Sequence, residues 1–199
     1  MPFITLVTFD DFTDIDLQLA WDLLNRVEVP DWRVEIVGAA STHPSRTGIE
    51  VATRGGLDAC RRADAVLFGS GPGSRKCVTS RGFLGSLALD PTRQLIGSQC
   101  SGALILAALG LLNDRPATTH PQARAELEAM GVAIVDAPLV VNGNVATAGG
   151  CLAAMYLTSW VVDRLAGRDQ RTAILRSVAP VGEAPALLES VERVLASIA

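Results

Sequence analysis

Short apolar runs that suit β-strands alternate along this chain with longer runs that have helical spacing. The strand-like runs are residues 3–9, 32–39, 63–68, 95–97, 132–135, 139–141 and 144–147, with a shorter alternating run at 49–53. The helical runs are residues 17–27, 81–89, 102–112, 121–130, 151–165, 170–177 and 184–197. Because parallel strands need helical crossovers, this alternation predicts an α/β fold with a mostly parallel sheet covered on both faces. No repeat or linker interrupts it, so we expect residues 1–199 to form one domain.

The composition limits the classes of partner. The chain has 199 residues, of which 49% are hydrophobic and 19% charged, and its formal net charge is −4. An acidic balance argues against nucleic-acid binding, which favours a basic face. No apolar run is long enough to cross a bilayer, and the first residues show neither a basic leader nor a cleavage site. We therefore predict a cytoplasmic protein without a membrane or nucleic-acid partner.

Cys100 has the most informative surroundings in the sequence. An apolar run ends at Gly97, Ser101 and Gly102 follow the cysteine, and an apolar helical run comes next. A nucleophile elbow consists of a strand, a sharp turn that carries the nucleophile, and a helix. Small residues beside the nucleophile permit the strained backbone of the turn. Because the N-terminal end of a helix stabilises a negative charge, we predict that the pKa of the Cys100 thiol lies below the free value of about 8.5. A buried structural cysteine is the alternative, but it does not account for the small residues around it.

The other cysteines have weaker surroundings. Cys60, Cys77 and Cys151 form no C-x-x-C pair and no metal-ligand spacing with Cys100, so we predict reduced thiols and no metal site. Cys151 begins an apolar helix after two glycines and is the second candidate nucleophile. Close packing of those glycines against the sheet explains its position equally well.

Two segments are expected at the same sheet edge as Cys100. The loop Gly69–Gly73 follows a strand, and because Lys76 precedes a cysteine it does not fit a phosphate-binding loop. Its backbone N–H groups are expected to face Cys100, although a plain strand-to-helix turn is an equally good interpretation. Asp14 and Asp16 follow the first strand, where either can cap the first helix. The convergence of strand ends favours a functional role for one of them.

The chain has only two histidines. His43 lies in a Ser-Thr-His-Pro-Ser segment, and we predict that it is solvated. His120 ends the segment 117–120 and is expected to approach the same sheet edge as Cys100. A structural hydrogen bond to a neighbouring backbone group is an equally good role for it.

The order of these features resembles the ThiJ/PfpI superfamily, which is related to the class I glutamine amidotransferases. The segments that carry the resemblance are Thr13–Leu17, Gly69–Gly73, Ser98–Gly102, Ala117–His120 and Val141–Gly150. The chain is most similar to the isocyanide hydratase branch, in which an aspartate follows the first strand and a hydroxylated residue follows the cysteine. The resemblance implies a flavodoxin-like three-layer α/β sandwich, a homodimer and no cofactor.

The resemblance also implies roles for single residues. Carried over by position, Cys100 is the nucleophile and Asp16 is the acid–base partner, held protonated by burial. The backbone N–H groups of Gly71 and Ser101 are then the candidates to stabilise a developing negative charge. The candidate pocket residues are Ser70, His120 and Gly150.

The implied reaction is the hydration of a small electrophile, an isocyanide becoming an N-substituted formamide. Glyoxalase-like or deglycase-like chemistry on a 2-oxoaldehyde is the alternative that uses the same residues. From another class, a redox sensor would oxidise Cys100 without turnover. A glutaminase triad needs a His-x-Glu pair, but His120 precedes Pro121-Gln122, and the protease-like relatives place histidine where this chain has Ser101.

Overall fold

A six-stranded sheet forms the centre of the molecule. The computed structural model describes residues 1–198, and its strands are β1 (Phe3–Val7), β2 (Arg33–Val37), β3 (Thr42–Pro44), β4 (Glu50–Ala52), β5 (Ala65–Phe68), β6 (Leu95–Gln99), β7 (Leu139–Asn142) and β8 (Val145–Ala148). Within these residues the sheet order is β2-β1-β5-β6-β8-β7, and every pair is parallel except β7–β8. Strands β3 and β4 form a separate antiparallel hairpin.

Helices cover the sheet in two groups. They are α1 (Asp14–Asn25), α2 (Ser74–Thr79), α3 (Arg81–Gly85), α4 (Ala103–Ala108), α5 (Arg124–Ala129), α6 (Ala154–Leu165), α7 (Arg168–Val178) and α8 (Ala184–Ala196). Helix α6 packs against α1, α7 and α8, whereas α4 packs against α2 and α5. Every residue of β1, β5, β6 and β8 is buried, which requires cover on both faces of the sheet. The predicted flavodoxin-like α/β sandwich is confirmed.

No helix within residues 1–198 has both the length and the apolar composition that a membrane crossing requires.

A glycine in β6 allows α6 to lie close to the sheet. A Cβ atom on Gly97 would lie 2.6 Å from a methyl carbon of Leu67 and 2.8 Å from one of Leu157 in α6. Leu157 is fully buried at this contact. Because a single 3₁₀ turn beginning at Cys151 leads into α6, the same packing brings Cys151 to the carboxyl end of β6.

Several predicted elements differ from the structure. Residues 132–135 do not form a strand, since only a single bridge joins Ala117 to Ile134. The helix after Cys100 ends at Ala108 rather than at residue 112, and Gly110 follows with a φ of 74°, a conformation that ends helices. The predicted hairpin turn between β7 and β8 is confirmed, with Gly143 at a φ of 64°.

The prediction that His43 is solvated is wrong. His43 lies in β3 and is only 4% exposed. Its Nδ1 lies 2.6 Å from Oδ1 of Asp10, and its Nε2 accepts the N–H of Ala40 at 3.3 Å. Since both ring nitrogens have partners, the β3–β4 hairpin buries this histidine without a polar penalty.

Candidate active site

Cys100 lies at the turn between β6 and α4 with a left-handed backbone. Its φ is 46°, which residues other than glycine rarely adopt. A 3₁₀ turn over Cys100–Gly102 joins the strand to the helix, and Oγ1 of Thr119 donates a hydrogen bond to the carbonyl of Cys100 at 2.7 Å. The predicted strand–turn–helix elbow is therefore confirmed. Backbone strain of this kind persists only where the surroundings impose it.

Gly102 is required where the elbow meets the neighbouring strand. A Cβ atom on Gly102 would lie 2.5 Å from the carbonyl oxygen of Gly69 and 3.0 Å from that of Phe68. Both oxygens belong to the backbone at the end of β5, so neither can rotate away. The close approach of these two chains places Cys100 beside the loop Gly69–Gly73.

We expect Gly102→Ala to lower the free energy of unfolding by about 1–3 kcal/mol, because the added methyl group forces the elbow away from β5. Gly85→Ala in α3 is the matched control, since a Cβ atom there has no neighbour within 4 Å. That change is expected to be neutral or slightly stabilising. Urea unfolding of both variants measures the difference, and equal stability of the two would contradict the close approach.

Asp16 is buried in the first turn of α1, with 1% exposure. The N-cap residue of α1 is Thr13, so the interpretation of Asp14 or Asp16 as the cap is wrong. The hydroxyl of Ser70 donates a hydrogen bond to Oδ2 of Asp16. Among residues 1–198, no group donates a hydrogen bond to Oδ1. A buried oxygen without a hydrogen-bond partner is costly, so Oδ1 is available to contact a ligand.

Cys151 joins Cys100 and Asp16 in one cluster. The two sulfur atoms and a carboxylate oxygen of Asp16 all lie within 4.8 Å of one another. Two thiols and a carboxylate are ligands that a zinc ion accepts, and within residues 1–198 this is the one cluster with such spacing. The search for metal-ligand spacing in the sequence did not reveal it, because its members come from three separate elements.

Gly71 and Ser101 are bonded to each other. The N–H of Gly71 donates to Oγ of Ser101 at 3.1 Å, and the Ser101 hydroxyl donates to the carbonyl of Gly71 at 3.2 Å. Because this N–H already donates to Ser101, it can stabilise a negative charge on the substrate, as predicted, only if the Ser101 side chain moves away. The N–H of Gly150 instead acts on the Cys100 thiol, in the direction that lowers its pKa.

A cavity of about 120 Å³ opens over this cluster. Residues from six separate segments of the chain line it: Thr13, Arg46, Ser70, Gly71, Pro72, Arg75, Cys100, Ser101, His120, Gln122, Ala123 and Cys151. His120 is half-buried, and its Nδ1 accepts the N–H of Gln122 at 3.2 Å. The cavity thus brings the predicted site residues Ser70, Gly71, Cys100, Ser101 and His120 together, with Asp16 directly behind them.

The surroundings of Cys100 hold its proton in the resting site. Burial raises the pKa of the Cys100 thiol, and its electrostatic interactions with Asp16 and Cys151 raise it further. The N–H of Gly150 acts in the opposite direction but is outweighed. The prediction of a lowered thiol pKa is therefore wrong for the resting site, since it relied on the helix end and on Asp16 as a hydrogen-bond donor and left out the burial of the thiol.

Without substrate, alkylation of Cys100 by iodoacetamide is expected to keep rising by about tenfold per pH unit beyond the free-thiol value of about pH 8.5, because only the thiolate reacts. At pH values at which a free thiol is already ionised, the raised pKa keeps the proton on the sulfur of Cys100. Asp16→Asn should move the profile to lower pH, since it removes a charge that raises this pKa, whereas Asp14→Asn should not. Peptide mass mapping at each pH gives the rates, and a plateau below about pH 8.5 would contradict the assignment.

The sequence did not single out every residue of the site. Thr119, which bonds the Cys100 carbonyl, belongs to the segment Ala117–His120 of the resemblance but has no signal of its own in the sequence, and neither has Arg46. Arg46 reaches the cavity from the β3–β4 hairpin, which is distant in the chain from Cys100. Only the pairing of that hairpin against the residues before α1 reveals its position.

The sequence and fold are similar to those of known proteins. The chain is 23% identical over 188 residues to the glutathione-independent glyoxalase DJ-1 of Schizosaccharomyces pombe, covering 88% of this chain and 97% of that protein. It is 26% identical over 168 residues to the isonitrile (isocyanide) hydratase of Pseudomonas putida, covering 83% of this chain and 73% of the relative.

Solved structures show the same fold. A ThiJ/PfpI family protein from Pseudomonas syringae superposes with a TM-score of 0.80 at 22% identity, covering 97% of this chain and 87% of that one. Schizosaccharomyces pombe DJ-1 superposes with a TM-score of 0.75 at 21% identity, covering 89% and 98%. The sequence model of the DJ-1/PfpI family matches residues 3–164, which include the elbow, Asp16 and Cys151. The chain belongs to the DJ-1/PfpI family.

Proposed function

We propose that this protein is a cysteine-dependent enzyme that adds water to a small electrophile, and that isocyanide hydration is its reaction. Relatives in its family bear the names of an isonitrile hydratase and a glyoxalase. The single observation that carries the proposal is the distance between the acid and the sulfur. A carboxylate oxygen of Asp16 lies within 4.8 Å of the sulfur of Cys100, beside the same cavity.

Isocyanide chemistry needs such a pair because one carbon receives both a proton and a nucleophile. The terminal carbon of R–N≡C is basic, and once protonated it is strongly electrophilic. An acid and a thiol on the same side of a narrow cavity can therefore both reach that carbon without movement of the substrate. Cys100 lines the cavity, and a carboxylate oxygen of Asp16 lies within 4.8 Å of its sulfur, directly behind the lining.

In the first step the proton held by the Cys100–Asp16 pair moves to the isocyanide carbon as the sulfur attacks it. The S–H bond breaks, C–H and S–C bonds form, and the product is a thioimidate, Cys100–S–CH=N–R. Asp16 relays the proton and ends with the charge it had at the start. A free thiolate is not needed beforehand, so the raised thiol pKa of the resting site is compatible with this step.

In the second step water attacks the thioimidate carbon. Asp16 takes a proton from the water and passes it to the nitrogen, which gives a tetrahedral carbon that bears sulfur, hydroxyl and amine. The S–C bond then breaks, the hydroxyl proton passes through Asp16 to the sulfur of Cys100, and the N-substituted formamide leaves. The sum of the steps is R–NC plus H₂O giving R–NH–CHO, with no change in oxidation state and no cofactor.

The proposal is tested by incubating the protein with small isocyanides and following the formyl proton of the product by NMR. We expect steady production of one formamide per isocyanide consumed, and none with Cys100→Ser. Absence of formamide with every isocyanide, from a protein that is folded by circular dichroism, would overturn the proposal.

A second candidate is glyoxalase-like conversion of a 2-oxoaldehyde to a 2-hydroxy acid. The cavity lining favours it, because Arg46, His120 and Gln122 offer hydrogen-bond donors to substrate oxygens. The thiol would add to the aldehyde carbon to form a hemithioacetal, and Asp16 would move the proton from that carbon to its neighbour, which gives a thioester. Water would then hydrolyse the thioester, releasing the 2-hydroxy acid and the thiol of Cys100. Methylglyoxal and the isocyanides, tested separately by the same NMR method, distinguish the two candidates. Lactate from methylglyoxal, with no formamide from any isocyanide, would favour the glyoxalase-like reaction.

The structure gives less support to a redox sensor. Peroxides oxidise the thiolate form of cysteine, and oxidation-sensitive thiols are exposed and acidic. Cys100 is 3% exposed, and its surroundings raise the pKa of its thiol. These properties suit a nucleophile that ionises when its substrate arrives.

A further inference from the structure

The charge of the cavity lining differs from that of the whole chain. The chain has a net charge of −4, but two arginines and a histidine line the cavity above Cys100. No aspartate or glutamate among residues 1–198 lines it. A molecule that enters the cavity therefore meets positive charge at the mouth, before it reaches the thiol.

A bonded turn carries Arg46 to this mouth. The turn joins β3 to β4, and its Ser45 hydroxyl accepts the N–H groups of Thr47 and Ile49 at 3.2 and 3.1 Å. The backbone N–H of Arg46 donates to the carbonyl of Phe12 at 2.9 Å, which ties the turn to the residues before α1. Arg46 thus extends from a backbone that is fixed relative to Asp16.

The two arginines of the lining differ in their partners. The guanidinium of Arg75 is bonded to the carboxylate of Glu126, with its Nε donating at 3.0 Å, so its charge is largely compensated. The side chain of Arg46 makes no hydrogen bond and no ion pair with any residue in 1–198. Its five N–H donors are therefore free for a ligand.

We infer that the substrate of this site carries an anionic group, a carboxylate in the simplest case, which Arg46 binds while the electrophilic carbon lies over Cys100. The inference rests on the proposed function and deepens it, from any small isocyanide to a small carboxylated one. Arginine suits this role because its planar guanidinium offers a carboxylate two parallel hydrogen bonds. Arg46 and Cys100 line the same cavity of about 120 Å³, which holds few heavy atoms. We therefore expect one small molecule to contact both the guanidinium of Arg46 and the thiol of Cys100.

The recognition of the anion can be tested without any substrate. Iodoacetate and iodoacetamide alkylate Cys100 by the same displacement of iodide, but only iodoacetate carries a carboxylate. We expect Arg46→Gln to lower the ratio of their rate constants at Cys100, iodoacetate over iodoacetamide, by about fivefold, an effect typical of a partly exposed charge. Arg46→Lys should keep most of the ratio, and added salt should reduce it in the wild type.

Arg62→Gln is the matched control, because Arg62 is exposed and precedes β5, at the opposite end of the sheet from the cavity. It removes the same charge and is expected to leave the ratio unchanged. Peptide mapping confines the measurement to Cys100 rather than Cys151. An equal ratio in Arg46→Gln and Arg62→Gln would overturn the inference.

Turnover provides the second measurement. Isocyanoacetate and its methyl ester share the reacting group and differ in charge, so the wild type should prefer isocyanoacetate by about fivefold or more in kcat/KM. Arg46→Gln should remove the preference mainly through KM, since Arg46 does not reach the reacting carbon. Equal turnover of both by the wild type would overturn the inference and leave the proposed hydration standing. Formamide from neither would overturn the proposed function, and with it the assignment of this substrate.

Discussion

Asp16→Asn is expected to reduce turnover by at least about a hundredfold, because an amide cannot pass a proton between Cys100 and the substrate. The variant keeps the size and shape of the side chain and can still accept the hydrogen bond from Ser70. Loss of a buried charge costs the fold nothing, so its thermal midpoint should remain within a few degrees of the wild type, about 1 kcal/mol or less. The measurements are steady-state formamide production and thermal unfolding.

The same variant separates proton transfer from ionisation of the thiol. Removing the Asp16 charge should make Cys100 easier to ionise, so that iodoacetamide reacts faster while turnover falls. If Asp16 only altered the pKa of the Cys100 thiol, the rate of alkylation and the rate of turnover would change in the same direction. Asp14→Asn is the control on the same helical turn and should keep most of the activity. Near-full activity of Asp16→Asn would remove the acid–base residue from the mechanism.

Cys100→Ser is expected to reduce turnover by about a thousandfold or more, because a hydroxyl in this position is a far weaker nucleophile than a thiol. Cys151→Ser tests the neighbouring sulfur, and we expect it to retain a large share of the activity, since that thiol has no elbow backbone. Both variants change one atom, so their folds should remain comparable. A larger loss in Cys151→Ser than in Cys100→Ser would exchange the roles of the two cysteines.

Local patterns were sufficient to predict the fold and the elbow. The alternation of apolar runs gives strands and helices in the right order, and Ser98, Gly102 and Cys100 together show a turn that only small residues permit. Topology placed Asp14 and Asp16 near Cys100, since parallel strands end at one sheet edge, and the family resemblance selected Asp16. These inferences depend on short segments whose physical requirements are visible in the sequence.

Features that depend on contacts between distant segments were not predicted. The burial of His43 follows from its pairing with Asp10, and the position of Arg46 follows from the contact of its turn with Phe12. The direction of the Cys100 pKa shift also depends on contacts, because the elbow is buried and Asp16 and Cys151 lie beside it. Neither burial nor charge at a site can be read from the residues adjacent to it in the chain.

Mass spectrometry during turnover tests the central claim most directly, which is that substrate carbon becomes bonded to the sulfur of Cys100. A reaction with an isocyanide is stopped during steady turnover by rapid quenching in cold acid, and the protein is digested with pepsin at low pH and mapped. We predict one adduct on the peptide that contains Cys100, with the added mass of one isocyanide, and its disappearance once substrate is exhausted. An adduct on Cys151 with Cys100 unmodified, or formamide production at the wild-type rate by Cys100→Ser, would contradict the account.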